Sequence, residues 1–301
     1  MGRAVGQGGA VRGRCEERPL LITDWRRMIM RDLFELRGRV AVITGGGGIL
    51  CSEMAGALAA RGVKVAILDI DEAAARSVAD GIRQNGGTAV YAAVDVLNKA
   101  SLERARDVVM RNFGAIDILI NGAGGNKAEA TTSDHTSFFD IPSEAIQWVF
   151  NLNVVGTVLP TQVFGKVMAQ KGEGVIINMS SMAALKPLTR TVAYSAAKAA
   201  VSNFTQWMAV HFCQNYSPNI RVNALAPGFF LTAQNEYLLV DEETGEPTPR
   251  GRQIVDHTPM GRYGVPGDLT GTLLWLVSEA GKFVNGVVVP VDGAFSAYSG
   301  V

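Results

Sequence analysis

Three side chains in the middle of the chain have the types and spacing to move a proton: Ser181, Tyr194 and Lys198. A phenol releases its proton near pH 10, so at neutral pH Tyr194 is a poor base unless a neighbour stabilises its anion. Lowering that pKa by about 3 units costs on the order of 4 kcal/mol and needs a nearby cation. Lys198 follows Tyr194 by one helical turn, so on a helix its ammonium stands on the same face and can supply the charge. Such a pair could take the hydroxyl proton of an alcohol while hydride leaves the adjoining carbon. Read alone, Tyr-xxx-Lys is a cheap match, met equally well by a packed tyrosine and a solvated lysine. Ser181, 13 residues upstream, makes the chemical reading stronger.

Hydride needs an acceptor, and a second constellation points to one. Arg39–Thr44 (RVAVIT) is a β-rich run closed by Gly45-Gly46-Gly47-Gly48, after which Ile49-Leu50-Cys51 opens a helical pattern. A glycine turn between strand and helix lets backbone N–H groups approach a phosphate at the helix N-terminus, whose partial positive charge favours an anion. Gly45, Gly48 and Ile49 are the candidates for that contact. A glycine run by itself is also simply a flexible turn. Asp69, at the end of the next strand, is placed to accept hydrogen bonds from an adenosine ribose and to repel a 2′-phosphate. Neither the turn nor Ile70 offers a basic side chain, so NAD is favoured over NADP. The plainer role for Asp69 is a helix N-cap, although Asp71 could serve there instead.

The elements that must carry these groups follow a regular alternation. Strand-like runs fall at 39–44, 63–69, 89–94, 116–120, 174–179, 221–225 and 287–291. Helical patterns fall at 50–61, 71–85, 100–113, 143–168, 194–213 and 268–278. Val- and Ile-rich strands alternating with helices predict a doubly wound α/β fold, a parallel sheet of about seven strands covered on both faces, in a single domain. Residues 145–165 are free of charge but contain Gln147, Asn151, Asn153, Pro160 and Gln162, a poor membrane span and a better buried or interface helix.

Composition agrees. The 301 residues are 48% hydrophobic and carry 28 basic and 28 acidic side chains, so there is ample apolar surface for a core and no basic field to attract nucleic acid. Cys15, Cys51 and Cys213 lie far apart, an odd count without CxxC or Cys/His spacing. This disfavours disulfides and a zinc or other metal site and fits a reducing, cytoplasmic compartment. Residues 1–30 differ: Gly clusters before residue 14, six arginines follow one another closely, and no stretch resembles the apolar centre of a signal peptide. A disordered tail, or a start assigned upstream of Met28 or Met30, is preferred there to an Arg-rich transit peptide. The folded domain is expected over 31–301.

The order of motifs resembles the short-chain dehydrogenase/reductase family over residues 37–301. After the glycine turn come Asp95, then Asn121-Gly122-Ala123-Gly124, Asn153, Ser181, Tyr194-xxx-Lys198, Pro227-Gly228 and Thr232. The resemblance implies a Rossmann-type fold and an oxidoreductase acting on CH–OH with NAD as acceptor. It implies Tyr194 as general acid/base, Lys198 lowering its pKa and binding the nicotinamide ribose, Ser181 holding the substrate oxygen, and Asn153 organising a water-linked proton path. Asp95 and Val96 would meet adenine, and the Ala123–Gly124 backbone would line the cofactor. Asn121 would steady the sheet or touch the cofactor, and Pro227, Gly228 and Thr232 would meet the carboxamide. One departure stands out. The family turn, Thr-Gly-xxx-Gly-x-Gly, expects glycines where this chain has Ile49 and Cys51, leaving open which glycine meets phosphate. Cys51 reads as a redox switch or, preferably, as a small buried residue against the sheet.

Longer segments, among them TGGGGILCSEMA, NGAGGN, HTPMGR and PVDGAFSAYSG, resemble the D-mannonate oxidoreductase branch, which is itself similar to gluconate 5-dehydrogenases. A sugar-acid pocket should offer a cation and polar donors. Arg190, four residues before Tyr194, is the candidate for a bidentate carboxylate clamp, with a surface or subunit contact as the competing role. Lys186, Asn126, Lys127, Gln234 and Asn235 are nearby candidates, with Asn126, Ser181 and Tyr194 expected at the substrate. The segment 233–259 breaks the α/β rhythm and reads as a lid or a solvated loop, and His257 within it reads as packing rather than as an acid/base group. The resemblance further implies a homotetramer or dimer built on the helices holding Asn153 and Tyr194. A catalytically silent NAD sensor or a scaffold protein are the contrasting classes; both would be favoured by loss of Ser181, Tyr194 or Lys198, and all three are present.

Overall fold

A computed structural model describes residues 32–232, 239–241 and 244–300. The readings of residues 1–30 and of Gln234 and Asn235 lie outside the described residues.

Seven strands among the described residues form one fully parallel sheet in the order β3-β2-β1-β4-β5-β6-β7. They are β1 (Val40–Thr44), β2 (Lys64–Asp69), β3 (Thr88–Ala93), β4 (Ile118–Asn121), β5 (Gly174–Met179), β6 (Ile220–Pro227) and β7 (Val288–Val291). Their central members are buried on both faces, which explains why they read as unbroken apolar runs rather than alternating ones. The intervening helices are α1 (Ile49–Ala60), α2 (Glu72–Gln84), α3 (Lys99–Phe113), α4 (Ser143–Phe150), α5 (Gly156–Lys171), α6 (Val192–Asn215), α7 (Pro249–Asp256) and α8 (Thr270–Val277). One core packs α1, α2 and α8 on one face of the sheet; the other packs α3, α5 and α6 on the opposite face. Strand order reverses between β1 and β4. In an open parallel sheet the crevice at such a reversal, beyond the C-terminal strand ends, is where ligands bind.

Two differences from the sequence reading are accompanied by specific hydrogen bonds. The single helix expected over 143–168 is α4 and α5 joined through a π-helical turn, Asn151–Val155. There Asn153, completely buried, spends its amide on the Val149 and Gly125 carbonyls, and Thr157 bonds back to the Asn153 carbonyl. The segment expected as a lid carries a short helix, α7, capped by Thr248, whose Oγ1 accepts from the Gly251 N–H at 3.0 Å. Just before α7, Asp241 Oδ1 accepts from the Thr244 N–H and hydroxyl.

Candidate active site

The glycine turn sits at the end of β1, above the strand reversal. Gly45 has φ +63°, a left-handed conformation that disfavours any side chain, and a Cβ there would lie 2.7 Å from the Ala123 nitrogen. Gly48 is the N-cap of α1 and brings no side-chain cap, so the first-turn N–H groups face outward as a ready anion site beside Ile49. Asp69, at the end of β2, turns Oδ2 to the Gly47 N–H at 2.9 Å and Oδ1 to the Asp71 N–H at 3.1 Å. Asp71, not Asp69, is the helix N-cap, accepting from Ala73 and Ala74. Asp69 therefore stands as a half-buried carboxylate between the turn and the second strand. Close backbone approach, bare helix N-terminus and acid at the strand end together fit a dinucleotide with a free ribose diol.

Across the crevice, Gly122 and Ala123 are held to β1 by the Thr44 hydroxyl, at 3.2 and 3.4 Å. Thr44 was not among the residues singled out, although its place before the glycines was the available signal. Gly124 abuts the reacting groups: a Cβ there would come 2.8 Å from Asn153 Oδ1 and 3.0 Å from Lys198 Nζ. Asn153 clamps the next residue in both directions, accepting from the Gly125 N–H at 3.2 Å and donating to its carbonyl at 2.7 Å. Asn121 is buried at the end of β4. Its amide donates to Thr161 and Asn178, tying β4 to α5 and β5, and Asn178 in turn donates to Thr205 on α6. Asp95 holds its own turn by accepting from Leu97, and Val96 is buried against Gly156. Pro227 ends β6, Gly228 bonds to the Val291 carbonyl, and Thr232 is the last described residue before 233–238.

Ser181, Tyr194 and Lys198 converge. Ser181 follows β5 and is 7% exposed; its hydroxyl accepts from the Ala183 N–H and is close enough to the Tyr194 phenol to favour its anion. Tyr194 and Lys198 lie on one face of α6, the ammonium 5.6 Å from the tyrosine ring centroid. Lys198 is 4% exposed and donates to the Met179 carbonyl at 2.8 Å.

Lys198 is expected to bring the Tyr194 pKa down. Among the protein groups alone burial dominates: it pushes the phenol above its usual value, and only the Ser181 hydrogen bond opposes it. Burial acts on the lysine too, pulling it down to about 8. A low-dielectric pocket penalises both charges, so the pair is poised to gain from any arrangement in which they appear together. Cys51 is buried and pushed up to about 12, first by burial and then by Asp69, which removes the thiolate a redox switch requires.

The substrate candidates fare differently. Arg190 does not reach toward Tyr194. Its guanidinium pairs with Asp134 at 3.2 Å, half exposed, and it lines a cavity of about 420 Å³ with Val192, Ser195, Ala196 and Ala199, on a different face of α6 from Tyr194 and Lys198. Asn126 is exposed and donates to Thr131 at 3.1 Å. Lys127, next to it, is half-buried, lies 5.5 Å from the Trp148 ring centroid and makes no ion pair among the described residues. His257 packs between Phe295 and Tyr298, as its plainer reading held.

This crevice and its Ser-Tyr-Lys set define a dehydrogenase of the nucleotide-dependent α/β type, and residues 39–243 match the family model for short chain dehydrogenase, so the chain belongs to that family. It is 50% identical to the uncharacterized oxidoreductase UxuB of Bacillus subtilis (strain 168) over 275 residues, covering 88% of this chain and 98% of that one. Among solved structures it resembles a protein of Haemophilus influenza, provisionally assigned as a D-mannonate oxidoreductase and holding NAD. That similarity has TM-score 0.84 and 48% identity, over 89% of this chain and 98% of the other. It also resembles a gluconate 5-dehydrogenase of Burkholderia cenocepacia in complex with NADP and tartrate, with TM-score 0.77 and 32% identity, over 89% and 98%. No helix among the described residues is long and apolar enough to cross a membrane.

Proposed function

We propose that the chain is an NAD-dependent oxidoreductase interconverting a sugar-acid alcohol and its ketone, in the first instance D-mannonate and D-fructuronate. The observation that carries the reading is the convergence of Ser181, Tyr194 and Lys198 beside Gly124, across the crevice from Asp69. The NAD-holding relative at 48% identity supports both cofactor and substrate class. Asp69 supports NAD independently, because a carboxylate between the turn and β2 opposes a 2′-phosphate.

When bound, the nicotinamide supplies the hydride acceptor. The chain's own groups handle the proton and the orientation. Ser181 and the Tyr194 hydroxyl, near neighbours in the site, grip the substrate oxygen between them. Tyr194 takes the hydroxyl proton as hydride leaves, and Lys198 stabilises the phenolate that results. Asn153 keeps Gly124 and Gly125 in place under the reacting groups. Because Arg190 is already paired, the cation assigned to the substrate carboxylate is Lys127, which follows Gly124 by three residues on the same loop. The apolar surface along α5 and α6, including exposed Trp207 and Val210, supports the homo-oligomeric reading.

A second reading, gluconate 5-dehydrogenase, is favoured by the relative that carries NADP and tartrate. A panel of aldonates and neutral polyols, each with NAD and with NADP and followed by reduced-nucleotide absorbance, separates the two. D-mannonate with NAD is expected to give the highest kcat/KM. Turnover of gluconate well above mannonate would transfer the assignment, and turnover of neither would remove the sugar-acid class.

A further inference from the structure

The departures from the family turn leave one side chain unused by the chemistry above. Cys51 lies where the family pattern has its last glycine, one turn into α1, pointing at the end of β4. We propose that Cys51 is a positioning residue for the dinucleotide: its Sγ fills the volume that Gly122 leaves open and so sets how closely α1 approaches the Gly122–Gly124 segment. This rests on the reading of the crevice as a dinucleotide site.

The fit is reciprocal. A Cβ on Gly122 would overlap the Cys51 Sγ and come 2.7 Å from the Thr44 carbonyl, whereas it would lie at an ordinary 3.7 Å from the Cys51 Cβ. The sulfur atom, not the rest of the side chain, is what meets Gly122. That glycine cannot drift away, because its N–H is bonded to the Thr44 carbonyl at 3.1 Å and to the Thr44 hydroxyl. The next two residues are the ones that matter for binding. Ala123 touches the left-handed Gly45 of the phosphate turn, and Gly124 touches Asn153 and Lys198. A shift at Gly122 therefore reaches both the anion-binding turn and the catalytic lysine within two residues. Close-packed interiors transmit such shifts rather than absorbing them. The thiol acts by volume: it is buried among apolar neighbours and does not ionise in the working range of pH.

The test uses the full chain and four variants, C51A, C51S, G122A and C51A/G122A. It reads the Kd of NADH by fluorescence titration, the Tm without ligand, and the separate KM values for NAD and sugar acid. C51A should raise the NADH Kd and the KM for NAD about tenfold while leaving the KM for sugar acid within about twofold, and C51S, which keeps most of the volume, should stay within about threefold on all three. G122A should bind NADH more weakly still. Because removing Sγ relieves the closer of the two clashes of the new methyl, leaving that with the Thr44 carbonyl, C51A/G122A should bind NADH more tightly than G122A alone, a coupling that independent sites do not show. NADH binding by C51A equal to that of the unaltered chain, or a double variant no better than G122A, overturns the proposal. Should G122A not fold, the C51A and C51S pair decides by the same criterion. An unaltered chain that binds neither NAD nor NADH overturns the dinucleotide reading itself, and this inference with it.

Discussion

Lys198 and Arg190 are cations eight residues apart in sequence, and the fold treats them in opposite ways. Lys198 is withdrawn from water between α6, the Met179 carbonyl and Gly124, and its proton affinity falls until it titrates near 8. Arg190 stays half in solvent, balanced by Asp134, in a pairing worth about 0–1 kcal/mol. Burial is what separates them. A charge in water is screened and structurally replaceable; a charge forced out of water is costly, so it responds strongly to whatever anion is brought beside it. The cation that is expensive to keep is the one beside the phenol that the proposed mechanism ionises.

Removing the expensive charge is the severest test of that contrast. Lys198→Met should lower kcat/KM by about a thousandfold or more, since on the proposed mechanism the phenolate loses the ammonium beside it. The same variant should be more stable than the parent at pH 7. The folded-state pKa of about 8 lies below the unfolded value near 10.5, so the unfolded chain binds the proton more tightly throughout that window. The cost of burying the ammonium is thus fully present below pH 8 and fades as pH rises toward 10.5. At pH 7 it amounts to about 3 kcal/mol, less what the lost bond to Met179 contributes. Denaturant unfolding at pH 7 and at about pH 10 should show the advantage of the variant shrinking with pH. A variant less stable than the parent at pH 7, by a margin that does not change with pH, would remove the claim that this lysine is strained by burial.

The comparison also separates the two candidates for the substrate carboxylate. Lys127→Met should raise the KM for aldonates about 10- to 100-fold while leaving a neutral polyol nearly unchanged, because only the acid loses a charge partner. Arg190→Met should move both by less than about threefold. Steady-state kinetics on matched acid and polyol substrates decides it. A large, acid-specific effect at Arg190 and none at Lys127 would restore the bidentate clamp expected from sequence and require Arg190 to leave Asp134 when substrate binds.

Why the surroundings of Arg190 are harder to read from sequence than the pairing of Tyr194 with Lys198 is a matter of range. The strand and helix alternation was legible because parallel strands buried on both faces demand Val- and Ile-rich runs, as in Ile118–Ile120 and Val175–Ile177. The pairing of Tyr194 with Lys198 was legible because the two share a helix face, a relation fixed by backbone geometry alone. The place of Asp69 beside the glycine turn was legible because strand ends in this topology have a set relation to the first turn. Arg190 lies in a loop, and its direction is decided by Asp134, 56 residues away in sequence. The π turn at Asn153 was hidden for a related reason. Its cause is a hydrogen bond to Gly125, 28 residues upstream, which no helical periodicity records. The raised Tyr194 pKa was missed because spacing shows that a cation is near but not how much water has been excluded.

The smallest effect tests the solvent-facing side of the contrast. Arg190 has φ +73°, in the left-handed region, where a Cβ costs about 1–2 kcal/mol that glycine avoids. Arg190→Gly and Arg190→Ala both lose the Asp134 pair, so the difference between them reads backbone strain with electrostatics removed. After subtracting glycine's larger loss of conformational freedom, the glycine variant should be the more stable of the two by about 0.5–1 kcal/mol, measured by denaturant unfolding. Neither should change kcat, since neither touches the Tyr194 face of α6. An alanine variant as stable as the glycine variant would mean that the loop relaxes out of the left-handed conformation once the guanidinium is gone. The Asp134 pair would then be what holds Arg190 in that conformation, and it would contribute more than its exposure implies.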